Sequence, residues 1–462
     1  MTRSRTARLA LAAASVVLLP GCSTIGDIFT SPAKSDIKGE RISIMAMEQQ
    51  LEADPRLADV EIKLPPPYRN PDWPEPGGYS DNVMHHLEAS GPLNEAWSTD
   101  TGKGSDSTSR LTAPPIIAEG RIYVLDAASN VFAFDARGGE KVWEAKIAPA
   151  KERGSWLTMF GMFGSNPNDP VKGFGGGVAY DEGRIFVASG FGFVKALDAA
   201  TGREIWTSDM PVPIRNAPVA NGGRVFVITQ ENQLFVLAAS DGRVLWDHRG
   251  ITESAGIMSS TSAAVAGEFV IVPYTSGELF ALRVQNGRVA WSDSLSRTGN
   301  VTALTSLNDI AGRPAIDRGL VFAISHSGRL VAIDIRTGER VWSRNIGGIQ
   351  TPWVAGDFIY LVSEDAQLVC LARRDGRVKW IKQLQRYEDE DEKQNPIVWS
   401  GPVVVSDRLL LVSSDGYAVS ISPYTGALLG RVEIPDGTFI PPVVANETVY
   451  ILTNDAELVA LR

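Results

Sequence analysis

The side chains with most chemistry to offer in this 462-residue sequence are two cysteines, four histidines and a set of recurring aspartates. A metal site needs such donors at spacings that one turn or hairpin can bring together. The histidines at 85, 86, 248 and 326 have no such spacing, and His85 and His86, in a proline-rich stretch, are expected at the surface. Cys22 and Cys370 form no paired motif, and Cys370 reads as a small buried hydrophobe. Asp135, Asp198 and Asp334 each open a turn, where an aspartate accepts hydrogen bonds from nearby backbone amides. The five consecutive acids Glu388 to Glu392 read as a solvated loop, and a net charge of −10 speaks against a nucleic-acid surface. No catalytic residue, metal or cofactor is assigned, so the expected function is binding.

The elements that carry these residues are repeats. Ala196 to Trp206 reads A-L-D-A-A-T-G-R-E-I-W, and Ala332 to Trp342 follows the same A-x-D-x-x-T-G-x-x-x-W pattern. Looser copies end at Trp143, Trp246, Trp291 and Trp380. Gly139, Gly202, Gly242, Gly287, Gly338 and Gly376 stand four residues before the tryptophans, and a further copy keeps Gly426 but has Gly430 in the tryptophan slot. Two residues before the aspartate slot the chain is small: Ala133, Ala196, Ala281, Ala332, Cys370, Ser420 and Ala460, with Val236 the largest. Each copy is preceded by β-rich runs joined through turns such as His326-Ser-Gly328, a hairpin signal. A spacing of roughly 40–50 residues between such units points to a propeller.

Hairpin pairs enter at Val131, Val194, Leu234, Leu279, Leu330, Leu368, Ala418 and Leu458. The fold expected is therefore all-β, an eight-bladed β-propeller of four-stranded antiparallel blades over 92–462. The last copy stops at Arg462 without an outer strand, and Leu93-Asn-Glu-Ala-Trp97 carries a tryptophan outside the repeats. That N-terminal strand is expected to complete the last blade, which also removes an exposed edge. Each tryptophan is expected to cover the neighbouring blade, burying ~150–250 Å². A loop at 156–177, with Leu157-Thr-Met-Phe-Gly-Met-Phe163, is a departure from the repeat.

The N-terminus reads as an export signal over 1–21: Arg3, Arg5 and Arg8, then an apolar run from Leu9 to Leu19 too short to span a bilayer. It ends Leu19-Pro-Gly-Cys22, which resembles the lipobox of bacterial lipoproteins. The resemblance implies that Cys22 is acylated and becomes the mature N-terminus, and Ser23 after it favours the outer membrane. From 22 to 91 the proline-rich composition reads as a tether, with a short strand at Ile42 to Met47 and aromatics, Trp73 and Tyr79, able to lie on the propeller.

The repeat resembles that of pyrroloquinoline-quinone dehydrogenases, but the adjacent cysteine pair that many of those enzymes stack on the quinone is missing. Lipobox, tether and eight quinoprotein-like repeats together resemble the BamB family of the outer-membrane β-barrel assembly machinery. Val212-Pro-Ile-Arg215 looks like that family's Leu-x-Leu-Arg loop, and Leu307-Asn-Asp-Ile-Ala311 like its Leu-Ser-Asp-Val-Asp loop. The resemblance implies that Val212, Ile214, Arg215 and Asp309 meet the periplasmic domains of the barrel-forming subunit BamA, with Asp309 on the blade next to Arg215. It implies a non-enzymatic, lipid-anchored protein on the periplasmic face of the outer membrane, supporting the folding and insertion of outer-membrane proteins, with unfolded ones as further partners. The alternatives are a periplasmic quinoprotein dehydrogenase and a scaffold for another envelope complex.

Overall fold

The computed structural model describes residues 51–107, 109–148, 175–214, 216–253, 261–296 and 307–462. Residues 51–462 form one compact unit. They contain eight four-stranded antiparallel sheets, the blades of the propeller, and one two-stranded hairpin. Blades 1 to 7 begin at Ile116, Gly176, Val219, Ala264, Ala315, Trp353 and Trp399. Blade 8 joins Val443–Ala445, Thr448–Leu452 and Glu457–Leu461 to Glu95–Asp100. The N-terminal strand thus closes the ring as expected, with Trp97 opposite Ala460 and Asp100 opposite Glu457.

Burial tells which strand faces the axis. First strands such as Ile116–Ala118 and Trp353–Ala355 are buried throughout, whereas fourth strands such as Lys141–Lys146 alternate between exposed and half-buried. The first strand is innermost. Each motif tryptophan sits on the outer strand and stacks on the next blade's motif glycine: Trp97 on Gly139, Trp143 on Gly202, Trp206 on Gly242, and so on to Trp380 on Gly426. A methyl group on any of these glycines would fall 2.5–3.0 Å from the tryptophan. Their φ of 66–80° is also a conformation that other residues adopt at a cost. From Trp143 to Trp380 each indole N–H donates, at 2.7–3.1 Å, to the carbonyl three residues before that glycine. The small slot lies opposite the tryptophan across the sheet, as in Ala196 with Trp206 and Cys370 with Trp380. A large side chain there would push the ring off its glycine.

The seam between blades 7 and 8 lacks both partners. Gly430 replaces tryptophan, and blade 8 has no glycine turn because its third and fourth strands come from opposite ends of the chain. The outer strand Leu428–Glu433 is accordingly exposed along its whole length.

The stretch expected as tether through 91 is packed from Leu51 onward, and residues 70–90 make a circuit of the inner strands. Asn70 bonds to blade 8 through Val444 O and Asn446 N. Trp73 exchanges two backbone bonds with Ile117 of blade 1, and Pro74 O accepts from Tyr180 N of blade 2. Glu75 Oε1 accepts from Ala220 N of blade 3. Ser80 O and Asp81 O take the amides of Val265 and Ile316 in blades 4 and 5. His85 O accepts from Trp353 Nε1 of blade 6, Leu87 N donates to Val404 O of blade 7, and Ser90 N returns to Glu447 O of blade 8. These bonds satisfy inner-edge groups that no fifth strand reaches. Gly78, at φ 97°, closes a turn with Glu75 through two reciprocal backbone bonds, and a Cβ there would meet Met84 Sδ at 2.3 Å. His86, expected at the surface, is 1 % exposed: its Nδ1 lies 2.7 Å from Pro65 O and its Nε2 accepts from Asp407 N at 3.0 Å.

Two outcomes follow from this packing. Gly242→Ala and Gly222→Ala both impose strain at positive φ, but only the first meets an indole, since Gly222 has open space around it. Denaturant unfolding should show Gly242→Ala less stable than Gly222→Ala by ~1–3 kcal/mol, the usual range for overpacking; equal losses would mean that the ring contact is not what excludes a side chain. The second concerns Glu75, 3 % exposed, whose carboxyl is pushed well above the usual range by burial, with the charges of Asp181 and Asp81 adding to the shift. The folded state therefore holds a proton that the unfolded state releases near pH 4.5. That contribution is complete below this pH and is lost as pH rises through the folded value. Glu75→Gln should gain stability relative to wild type between pH 5 and pH 8, by no more than ~1.4 kcal/mol per pH unit. A difference that stays flat over this interval would show that Glu75 is ionised in the fold.

Candidate functional site

Inter-blade connectors close onto the turns between second and third strands. Met210 N donates to Gly192 O, Gly250 N to Asn232 O and Leu295 N to Gly277 O, all at 2.8 Å. The connectors therefore share one face, while the motif turns and the N-terminal circuit occupy the other, where Ala136 N, Ala199 N and Ala239 N bond to Gly120 O, Gly183 O and Gly223 O.

The Val212 to Arg215 stretch is the connector from blade 2 to blade 3. Pro211 and Pro213 are exposed, Val212 is half-buried and Ile214 is fully buried. Ile214 N donates to Ser189 O at 3.3 Å and Gln230 N donates to Pro213 O at 3.0 Å. The segment is thereby held between the turns of the two blades, and the prolines fix its φ angles. Ile214 anchors the connector in the core of blades 2 and 3 and presents no surface of its own. Arg215 lies outside the described residues.

Leu307 to Ala311 occupies the equivalent place from blade 4 to blade 5. Leu307 and Asn308 are half-buried, and Asp309, Ile310 and Ala311 are buried. Ile310 N donates to Tyr274 O at 3.4 Å and His326 N to Asp309 O at 2.9 Å, again a clamp between two turns. Two expectations change here. Asp309 is two connectors on from Arg215 along the ring, not one, because the connector between blades 3 and 4 stands between them. At 1 % exposure its carboxylate faces the protein interior, so its place is beneath the surface. Nearby, His326 Nδ1 lies 2.8 Å from Glu364 Oε1, and burial pulls the Arg313 guanidinium down to about 10.

The acidic run is a hairpin instead of a loop: Tyr387–Asp389 pairs with Gln394–Pro396 on the connector between blades 6 and 7, with its acids exposed. The motif aspartates do hold local amides. Asp135 Oδ1 accepts from Arg137 N at 2.9 Å, Asp198 Oδ1 from Thr201 N at 2.8 Å and Asp334 Oδ1 from Arg336 N at 2.9 Å. All three carboxyls are held below their ordinary value, through the Arg137 side chain, the Thr201 hydroxyl and the Thr337 amide respectively. Cys370 is fully buried and burial pushes its thiol up. Among the described residues no three His, Cys, Asp or Glu side chains are grouped to hold a metal. Cys22, the strand expected at Ile42 to Met47 and nearly all of the 156–177 loop fall outside the described residues.

The sequence places Trp73 and Tyr79 where they can lie on the propeller, but the full circuit and Glu75 within it are not foreseen; Met84 and Leu87, large apolar residues in a proline-rich stretch, were the further signal.

The family model for "Outer membrane protein assembly factor BamB" matches residues 79–168 and 156–382. The protein of that name from Moranella endobia is 25% identical over 358 residues, 78% of this chain and 86% of the relative. The crystal structure of BamB from Moraxella catarrhalis superposes with a TM-score of 0.62 at 17% identity, covering 80% of this chain and 99% of that one. The quinohemoprotein alcohol dehydrogenase from Comamonas testosteroni gives 0.63 at 14% identity, covering 85% and 81%, a likeness of fold. With the family model spanning the larger part of the sequence and the propeller in place, the chain belongs to the BamB family of outer membrane protein assembly factors.

Proposed function

We propose that this protein is a non-enzymatic subunit of the outer-membrane β-barrel assembly complex. It is anchored through acylated Cys22 to the periplasmic face of the outer membrane and uses the connector face to bind the periplasmic domains of the barrel-forming subunit BamA. Its role there is to support folding and insertion of outer-membrane proteins, which are themselves candidate partners in the unfolded state. The observation that carries this reading is the pair of clamped connectors. Two stretches that resemble the family's partner-binding loops sit at equivalent positions on one face, each held between two blades. A pre-organised loop loses little conformational freedom on docking, so more of its contact energy appears as affinity. Arg215 supplies the anchor, a planar fork able to hold a carboxylate or carbonyls while its stem packs on apolar neighbours. Val212 adds apolar surface, and Ile214 and Asp309 support the two connectors from below.

Arg215→Glu should leave the melting temperature nearly unchanged and abolish co-purification of BamA from detergent-solubilised envelopes. Normal capture by a well-folded variant would remove Arg215 from the interface. Cys22→Ala should yield protein uncleaved at that site and free of acyl chains; mature wild-type protein on the outer membrane without diacylglycerol would refute the anchor.

A further inference from the structure

On the circuit face lies a pocket of ≈ 270 Å³, walled by residues between Asp72 and Ser80 and by the ends of the inner strands of blades 1 to 3. Asp72, Glu75 and Asp181 bring three carboxyl groups to it, Tyr79, Tyr180 and Asn221 add polar surface, and no lysine or arginine lines it. An acidic lining on a protein of net charge −10 is unremarkable where water reaches it. Glu75 is different. Its Oε1 accepts from Ala220 N at 3.0 Å, while Oε2 is sealed from water and has no donor among the described residues. Asp181 Oδ2 is buried and without a donor in the same way. Arg184, whose charge reaches Asp181, sends Nη1 to Ala239 O at 2.9 Å and Nη2 to Glu182 Oε2 at 3.1 Å; its Nε is buried without a partner among the described residues but makes no hydrogen bond to Asp181. Buried acceptors without donors are rare in native folds because each loses its hydration for nothing in return. Two on the walls of one pocket leave places for donors from outside the chain, reached by a turn of each carboxyl group toward the pocket.

We propose that this pocket binds an organic cation, an ammonium or guanidinium group that displaces the proton held by Glu75 and donates to Glu75 Oε2 and Asp181 Oδ2. A metal ion fits less well. Calcium takes six to eight oxygens converging on one point, and the described residues hold no such group. The volume falls below the ~300–1,000 Å³ usual for cofactor-sized ligands, which suits a single basic side chain or a slender amine. Nitrogen donors on such a group spread their N–H bonds over carboxylates on different walls, and two aromatic residues, Tyr79 and Tyr180, line the same pocket. Because the walls come from the N-terminal circuit and from three blades, an occupant ties the circuit to the ring. The inference is independent of membership in any complex.

The test is calorimetric titration of the full chain in detergent at low salt, with spermidine as a free amine and acetyl-Gly-Arg-Gly-amide as a peptide-borne guanidinium. Wild type should bind at least one of them and melt at a higher temperature when it does. Binding by spermidine alone points to a free polyamine, binding by the peptide alone to a partner's basic side chain, and binding by both to recognition of the charged group itself. Glu75→Gln and Asp181→Asn should each weaken the interaction tenfold or more, while Glu388→Gln with Glu390→Gln on the distant acidic hairpin should not. Should Glu75→Gln fail to fold, Asp181→Asn, at a half-buried position, decides the matter. Absence of binding to both probes, or equal loss in the hairpin variant, overturns the proposal.

Discussion

Everything in this propeller hangs on an indole ring lying against a glycine of the next blade. The contact sets the distance between blades, demands a residue without Cβ at positive φ, and demands a small side chain opposite the tryptophan. Three spacings in the sequence are thus one physical constraint read three times. The same constraint explains its own exception. Gly430 lacks an indole because the blade it would cover is closed from both ends of the chain and has no motif turn to receive one. That seam is held at the inner strands and through the circuit, and the strand Leu428–Glu433 is left bare.

The outer seams are only half of what holds the ring. Tryptophans act near the rim, where blades are widest, and the N-terminal circuit acts at the axis, where inner strands would otherwise present unpaired edges. Both devices lie away from the connector face. The connectors bridge neighbouring blades through buried anchors such as Ile214, while their exposed residues are left to meet partners. A scaffold that concentrates its constraints on one side and its variable loops on the other is suited to binding, which agrees with the family to which the chain belongs.

How much of this could be read beforehand depended on whether a feature was local. The repeats, the small slot and the missing outer strand were legible because each is a pattern of spacing, and the structure places Trp97 on Gly139 where the arithmetic required it. Although Trp73 and Tyr79 marked a stretch able to lie on the propeller, the course of the circuit was not legible. Its partners lie up to hundreds of residues away, as Asn70 with Val444 shows, and it has neither the period of a strand nor that of a helix. Prolines that signal an extended chain do not say whether that chain is solvated or packed, so the burial of His86 and Glu75 cannot be read from them. Asp309 shows the reverse limit: a motif match located its loop but not the direction of its side chain.

Ring closure by Glu95–Asp100 on Glu457–Leu461 also carries a consequence in time. Glu95–Asp100, the first strand of the described residues, pairs with the last of them, and the circuit that precedes it cannot be completed until blade 8 exists. Contacts of such separation form late and slow folding, so intermediate blades must stand as an open arc with both terminal edges exposed. A chain of this kind is most prone to stick to its neighbours until Glu457–Leu461 and Glu95–Asp100 have paired. Deleting the single strand Glu457–Leu461 would leave the whole arc unsealed.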